Sequence, residues 1–314
     1  MKDNNPLISV VIVAGPNRLI ELIRCIQSVY ASTYKDFEIL IIDNSCSNRL
    51  YEKAKTTFPS LRILQMPANT GIFAYNVGFA NAKGKYILAL DDDSAIYPDT
   101  LKKIYDVFAK KPKTVGILSF NQYNPLWEYY YYSHYVQLKM VDVYTFVGGA
   151  CAFRKDIFAK IGYYDTDFFC WVHEDDFAAR ALNAGYQIHF EKDIVINHYE
   201  KESEQINKKK IFLIFRNKVW FPVKHFSVFL LPVFVVKEAL WFFSMSSIAN
   251  RRSSLTSLKR RTSTSLLFAI LGTLYGIFTI IFPLRKRQVM RFDLQKKYIN
   301  YYFTILKYII RLAR

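Results

Sequence analysis

Residues 7–14 (LISVVIVA) form an unbroken apolar, β-branched run with no polar alternation. Such a run suits a strand buried on both faces, as in the middle of a parallel sheet. Gly15-Pro16 ends it, and Leu19, Ile20, Leu22, Ile23, Ile26 and Val29 then recur at helical spacing, which predicts an amphipathic helix. Residues 37–42 (FEILII) read as a second buried strand that runs out into Asp43-Asn44-Ser45. The pattern repeats with a short strand at 61–64, a helix over 72–82, and a strand at 85–90 (KYILAL) that ends on Asp91-Asp92-Asp93. A helix around 99–110 and a strand at 115–119 follow. Alternation of this kind predicts an α/β fold, an open and mostly parallel sheet with helices on both faces and right-handed crossovers. Ligands of such sheets sit beyond the carboxyl ends of the strands, where both acidic turns fall.

Near residue 206 the pattern changes. Residues 1–205 hold 22 Lys and Arg against 24 Asp and Glu, whereas 206–314 hold 21 basic residues and only Glu238 and Asp293 as acids. The expected division is therefore a near-neutral α/β domain over 1–205 and a basic, apolar helical region over 206–314. Residues 226–248 are rich in Phe, Val and Leu, and residues 265–282 carry no charge over 18 positions. That length is at the lower edge for crossing a bilayer. Lys259-Arg260-Arg261 precedes the uncharged run and Arg285-Lys286-Arg287 follows it. Positive charge on both flanks is awkward for a single span under the positive-inside rule, and favours helices embedded from the cytoplasmic side of an anionic membrane. The competing reading is a soluble helix pair that caps the catalytic domain. Cys25, Cys46, Cys151 and Cys170 form no CxxC pair and read as reduced thiols. Lys2 and Asp3 lead directly into the first strand without the apolar stretch of a signal peptide, so a cytoplasmic location is expected.

The composition also excludes some chemistry. No GxGxxG follows any strand, which argues against a dinucleotide enzyme. The basic clusters bracket aliphatic runs, whereas a nucleic-acid surface interleaves cations with stacking aromatics.

Three adjacent aspartates at a sheet mouth repel one another, and a hard divalent cation is the best reason to keep them together. Mg2+ and Mn2+ bind through one or two carboxylates plus phosphate oxygens. The plainer alternative is a solvated turn that caps the next helix. What decides between them is the preceding run: Asn69-Thr70-Gly71, Asn76, Gly78, Ala82, Gly84, Tyr86 and then Leu90 before the triplet. Over roughly 7–220 the chain resembles the inverting glycosyltransferases of family 2, which have the GT-A fold, and among them the polysaccharide and rhamnosyltransferase-like members. The resemblance implies a nucleotide-diphosphate sugar as donor, a glycan or lipid-linked acceptor, and Mn2+ or Mg2+ as cofactor. By position, it implies that Asp43 contacts the base, Asp91 the ribose, and Asp93 the metal, with Asp92 sharing either of the last two roles. Gly71, Asn76 and Gly149 fall on the family's donor-binding stretches. Ala14-Gly15-Pro16-Asn17-Arg18 departs from the family's Thr-Tyr-Asn-Arg.

A second block resembles the family's acceptor side. Gly148-Gly149 precedes Ile161-Gly162-Tyr163-Tyr164-Asp165, then His173-Glu174-Asp175-Asp176 and Arg180. An inverting transfer needs a carboxylate within hydrogen-bond reach of the acceptor hydroxyl. Counting from Glu174 makes Asp175 that base, whereas counting back from Arg180 points to Glu174 and makes Asp176 the second acid. Asp175 is the expected base, with Glu174 as the alternative and Asp176 beside them. Arg180, one turn from Asp176, can pair with it and is also a donor-site candidate. His198, after the apolar residues 194–196, is a candidate metal ligand. Arg216-Asn217 resembles a pair near the end of the catalytic domain, and the aromatic run Trp127–Tyr135 suits either sugar stacking or packing. Two further readings stay open: a membrane adaptor that keeps the fold without catalysis, and a sugar nucleotidyltransferase. The latter usually carries a Gly-rich basic loop after strand one, which Ala14–Arg18 is too short and too poor in glycine to form.

Overall fold

The computed structural model describes residues 6–46, 48–59, 61–126, 128–130, 133–200, 208–234, 236–237 and 255–313. By internal contacts the chain divides into two units, Met1–Phe169 with Ala184–Lys201, and Cys170–Asn183 with Glu202–Arg314.

The first unit is built on the expected alternation: β1 Ile8–Ala14, α1 Leu19–Tyr30, β2 Phe37–Asp43, α2 Asn48–Thr57, β3 Arg62–Gln65, α3 Phe73–Asn81 and β4 Tyr86–Asp91. It continues through β5 Ser94–Ala95, α4 Thr100–Lys110, β6 Val115–Asn124, β7 Tyr129–Tyr130, α5 Ser133–Gln137, β8 Asp142–Val143, β9 Ala150–Arg154, α6 Asp156–Ile161 and β10 Gln187–His198. The sheet order is β3-β2-β1-β4-β9-β6-β10-β5. Strands β1, β2, β3 and β4 pair in parallel, as do β6 and β10. The sheet is thus mostly parallel, as expected, with β9 lying antiparallel between β4 and β6.

One face of the sheet is covered by α1 and α4. Leu22, Cys25, Ile26 and Val29 face inward at i, i+3, i+4 and i+7, and pack with Leu101, Ile104 and Phe108 over Ile8, Val10, Ile12 and Leu88. Each large aliphatic residue so buried contributes roughly 1.5–3 kcal/mol. This core holds the ends of β1 and β4 in register, Val13 beside Asp91.

The second unit contains α7 His173–Asn183, α8 Lys208–His225, α9 Leu255–Phe278, α10 Ile281–Arg285 and α11 Phe292–Ala313. Phe221, Phe226, Phe234 and Tyr298 form its aromatic centre, with Phe226 and Phe234 rings 4.3 Å apart. By these contacts residues 170–183, ahead of the composition break near 206, group with the C-terminal helices. The uncharged run 265–282 is not one helix; it is interrupted at Thr279-Ile280. Among the described residues no helix is long and apolar enough to cross a membrane. Residues 238–248 of the second apolar stretch lie outside the described residues.

Candidate active site

The carboxyl ends of β1, β2, β4 and β10 bring most of the predicted donor-side residues into the first unit's sheet edge. Asp91 closes β4, and its carboxylate accepts from Tyr75 Oη at 2.5 Å. Its backbone N–H donates to Gly149 O at 3.1 Å. A Cβ on Gly149 would stand 2.1 Å from Asp91 Oδ2, so only glycine allows this approach. Asp92 accepts from the Gly15 N–H at 2.7 Å, and Arg18 Nη1 lies 3.5 Å from its other oxygen. Arg18 also donates to Asp93, whose second oxygen is 3.2 Å from His198 Nε2. One ligand atom from each of Asp91, Asp93 and His198 lies within 4.8 Å of the others.

The electrostatics follow from burial. Desolvation pushes the Asp92 carboxyl up to about 7, against the Arg18 charge and the Gly15 N–H that favour the anion. Desolvation, and then the charge of Asp93, raise Asp91 as well. For Asp93 burial is outweighed by the hydrogen bond and charge of His198 and by Arg18, and the group is held down to about 2. Burial opposes protonation of His198, but Asp93 outweighs it and raises the imidazole. Two carboxylates and an imidazole that converge on one point form a donor set for a divalent cation, and the mixed oxygen and nitrogen set suits Mn2+ better than Mg2+.

At the end of β2, Asp43 is buried, its Oδ1 accepting from Ser45 N at 3.0 Å. Its Oδ2 is buried with no partner among the described residues, an acceptor where a base N–H is expected. Asn44 latches the neighbouring turn: its Oδ1 accepts from Thr70 N at 3.0 Å and its Nδ2 donates to Gly71 O at 3.4 Å. Asn76 stands apart from the donor-binding expectation. Its Nδ2 donates to Tyr164 O at 2.9 Å and its Oδ1 accepts from Tyr164 N at 3.0 Å, so its amide braces a loop.

Sequence reading missed two residues of this cluster, Arg18 and Tyr75, which are legible only once β1, α3 and β4 are adjacent. It also passed over Asn121, 5% exposed, whose Oδ1 has no hydrogen-bond partner among the described residues. Ser119, Cys151 and Ala89 are paired across three strands. Alternation therefore puts Asn121 on the same face as Asp91, two positions beyond that row. The polar run Asn121-Gln122 in a strand that continues to Asn124 was the available signal.

The second acidic run lies in the second unit, in the first turn of α7. Asp176 is fully buried; its Oδ1 accepts from Lys224 Nζ at 2.6 Å and His225 Nε2 at 2.8 Å, and its Oδ2 from Arg180 Nε at 3.0 Å. Burial opposes ionisation, but Arg180, His225 and Lys224 hold the carboxyl well below the usual range. Asp176 is thus the buried anion of an ion network in which Arg180 is one partner. Asp175 Oδ1 accepts from Tyr302 Oη at 2.7 Å and Tyr298 Oη at 3.2 Å. Glu174 keeps 21% of its side chain exposed, 3.2 Å from His173 Nδ1. Just ahead of α7, Trp171 and Val172 have φ of 57° and 64°. A β-branched residue in that region is strained. Asn217 Nδ2 holds the loop through Cys170 O at 2.7 Å and Trp171 O at 2.8 Å, and Arg216 Nε binds Asn217 Oδ1 at 2.8 Å. The Arg-Asn pair thus supports the acidic turn. Of the aromatic run 127–135, Trp127, Tyr131 and Tyr132 lie outside the described residues, while Tyr130 packs on Tyr123 at 4.9 Å.

The family model described as glycosyl transferase family 2 matches residues 9–162. An uncharacterized glycosyltransferase of Haemophilus influenzae is 29% identical over 103 residues, 32% of this chain and 35% of the relative. The uncharacterized glycosyltransferase YwdF of Bacillus subtilis is 27% identical over 174 residues, 51% of this chain and 62% of its own length. The chain therefore spans less than two thirds of either relative. Among solved structures, the mannosyltransferase PcManGT of Pyrobaculum calidifontis, in complex with GDP-Man and Mn2+, superposes with a TM-score of 0.58 at 17% identity, over 88% of this chain and 87% of that one. At that identity the likeness establishes the GT-A fold.

Proposed function

We propose, from the family 2 glycosyltransferase domain that residues 9–162 form, that the protein transfers a sugar, with inversion, from a nucleotide-diphosphate donor to a glycan or lipid-linked acceptor in cell-envelope polysaccharide synthesis. The observation that carries this reading is the convergence of Asp91, Asp93 and His198 at the sheet edge. The Oδ2 of buried Asp43, without a partner among the described residues, supports it as a base contact.

Asp91, Asp93 and His198 would hold a divalent cation, Mn2+ before Mg2+. When bound, the ion would neutralise the donor diphosphate and stabilise charge on the leaving group. Arg18 adds a fixed positive charge at the same aspartates, and Asn121 offers a hydrogen-bond acceptor to a sugar hydroxyl. The general base must be a carboxylate that can gain a proton. Asp176 is tied into a buried ion network, and Asp175 Oδ1 is already engaged by the phenols of Tyr298 and Tyr302. We therefore assign the base to Glu174, with Asp175 positioned beside it. Its carboxylate takes the acceptor hydroxyl proton as that oxygen attacks the anomeric carbon, and the nucleoside diphosphate leaves from the opposite face.

The test is a screen of the purified full chain against UDP-, GDP- and dTDP-sugars with Mn2+ or Mg2+, measuring release of nucleoside diphosphate. Metal-dependent release from one donor, lowered about a thousandfold in Asp93→Ala and about a hundredfold in Glu174→Gln, is expected. No release together with no metal-dependent nucleotide binding would overturn the reading in favour of a non-catalytic adaptor. Pyrophosphate exchange in place of diphosphate release would identify a nucleotidyltransferase.

A further inference from the structure

Helices α8 and α9 pack with an unusual polarity. The side of α9 that meets α8 is made of small residues: a Cβ on Gly272 would stand 2.3 Å from Phe212 O, and one on Gly276 3.0 Å from Arg216 O. Ala269 is buried in the same row, and Trp220 Nε1 fixes the contact by donating to Gly276 O at 3.2 Å. The large apolar side chains of the run point the other way. Leu267, Ile270, Leu271, Leu274, Phe278 and Ile281 are all exposed at intervals of one to four residues, Phe278 to 82%. A core helix has the reverse arrangement, with its bulky residues inward and its small or polar ones outward. The outward arc of α9 and α10 is therefore a contiguous apolar surface that water alone does not stabilise.

Its chemistry points to one occupant. Arg285, Lys286, Arg291, Lys296 and Lys297, all exposed, follow directly in the chain. Asp293 is the one acid in 255–313, and Arg291 Nε lies 3.7 Å from it. Phe292 is 58% exposed, with Lys296 Nζ 4.6 Å above its ring, an aromatic body beside a cationic head. Bulky apolar side chains followed in the chain by an excess of exposed positive charge match the acyl boundary and headgroups of an anionic bilayer. A protein groove would need acidic groups to answer these cations across a fixed interface. We propose that the α9–α10 face, with the basic segment 285–297, docks the protein in the plane of an anionic membrane. The opposite side of α9 stays packed on α8, so the run lies in the interface and does not cross it. This inference stands apart from the transfer reaction and does not depend on it.

The test is vesicle flotation of the full chain, with phosphatidylcholine alone and with phosphatidylglycerol added. Wild-type protein is expected to float with the anionic vesicles and to be released as salt rises. Leu274→Glu with Phe278→Glu should lower binding at least about tenfold, with an unchanged melting curve and monomeric mass. Lys296→Glu with Lys297→Glu, which leaves the apolar arc intact, should remove the preference for anionic over neutral vesicles, and so tests the surface even if the first variant fails to fold. Wild-type protein that floats with neither vesicle overturns the proposal, as does equal binding by the charge variant. So does a wild-type dimer that Leu274→Glu with Phe278→Glu converts to a folded monomer, since a second copy would then be the occupant.

Discussion

Asp91-Asp92-Asp93 and Glu174-Asp175-Asp176 are near copies of one another as strings: three consecutive acids that follow an apolar segment and open toward a helix. Their surroundings use the charge in different ways. On the sheet edge, Arg18 touches Asp92 and Asp93, while Asp91, Asp93 and His198 converge on one point. On α7, Lys224, His225 and Arg180 surround Asp176 and leave it no lone pair to offer. Negative charge gathered at a strand end with too few counter-ions is a binding site. The same charge matched by buried cations is a structural post.

The contrast can be broken by mutation, and the largest effect should come at the sheet edge. Asp93→Ala is expected to lower donor turnover by about a thousandfold or more, some 4 kcal/mol of barrier, and to abolish Mn2+ binding by titration calorimetry while leaving the melting temperature nearly unchanged. Asp176→Asn should do the opposite. It leaves Lys224 and Arg180 buried without their anion, and a loss of about 3 kcal/mol or more in urea unfolding is expected. If instead Asp176→Asn is fully stable and dead in turnover, the division between post and site is wrong.

Glu174→Gln sharpens the comparison within α7. A fall in kcat of about a hundredfold with unchanged donor affinity is expected, against a smaller effect of Asp175→Asn, whose carboxylate Tyr298 and Tyr302 hold. A larger loss in Asp175→Asn would return the base to Asp175.

The buried His173 gives the second unit a dependence on pH. Desolvation lowers its folded pKa to about 3 from an ordinary 6.5. The unfolded chain thus binds the proton that the folded one refuses, and stability must fall as pH drops below the unfolded value. Between pH 7 and 5 the loss should be about 2 kcal/mol, seen as a lower urea midpoint; a pH-independent midpoint over that range would contradict it. The smallest effect is expected at Asn121. Asn121→Ala should weaken binding of the intact donor by about fivefold, near 1 kcal/mol, with no change for the nucleoside diphosphate alone. Equal loss for both would place Asn121 outside the sugar contact.

Much of the first unit was legible because the signals are local. Continuous apolar runs marked β1, β2 and β4, and the spacing of Leu22, Ile26 and Val29 marked α1. The acids at strand ends followed from where such sheets bind ligands. The antiparallel entry of β9 was not legible, since strand direction depends on which edge the chain reaches after 125–149. Nor was the grouping of α7 with the C-terminal helices: composition changes near 206, but Asp176 meets His225 across 49 residues of chain.

By itself, the sequence determined the alternation of strands and helices, the two acidic runs, and the separation of a neutral front from a basic apolar back. Each of these is written in the spacing of neighbouring residues. Only the tertiary structure decided which carboxylates have their hydrogen-bonding capacity filled. It set Gly149 against Asp91, brought His198 from β10 to Asp93, and delivered Lys224 and His225 to Asp176. It also turned the small side of α9 inward and the bulky side out. Periodicity says that a residue is on a face, but the number of partners its polar atoms find there depends on chain segments far away in sequence.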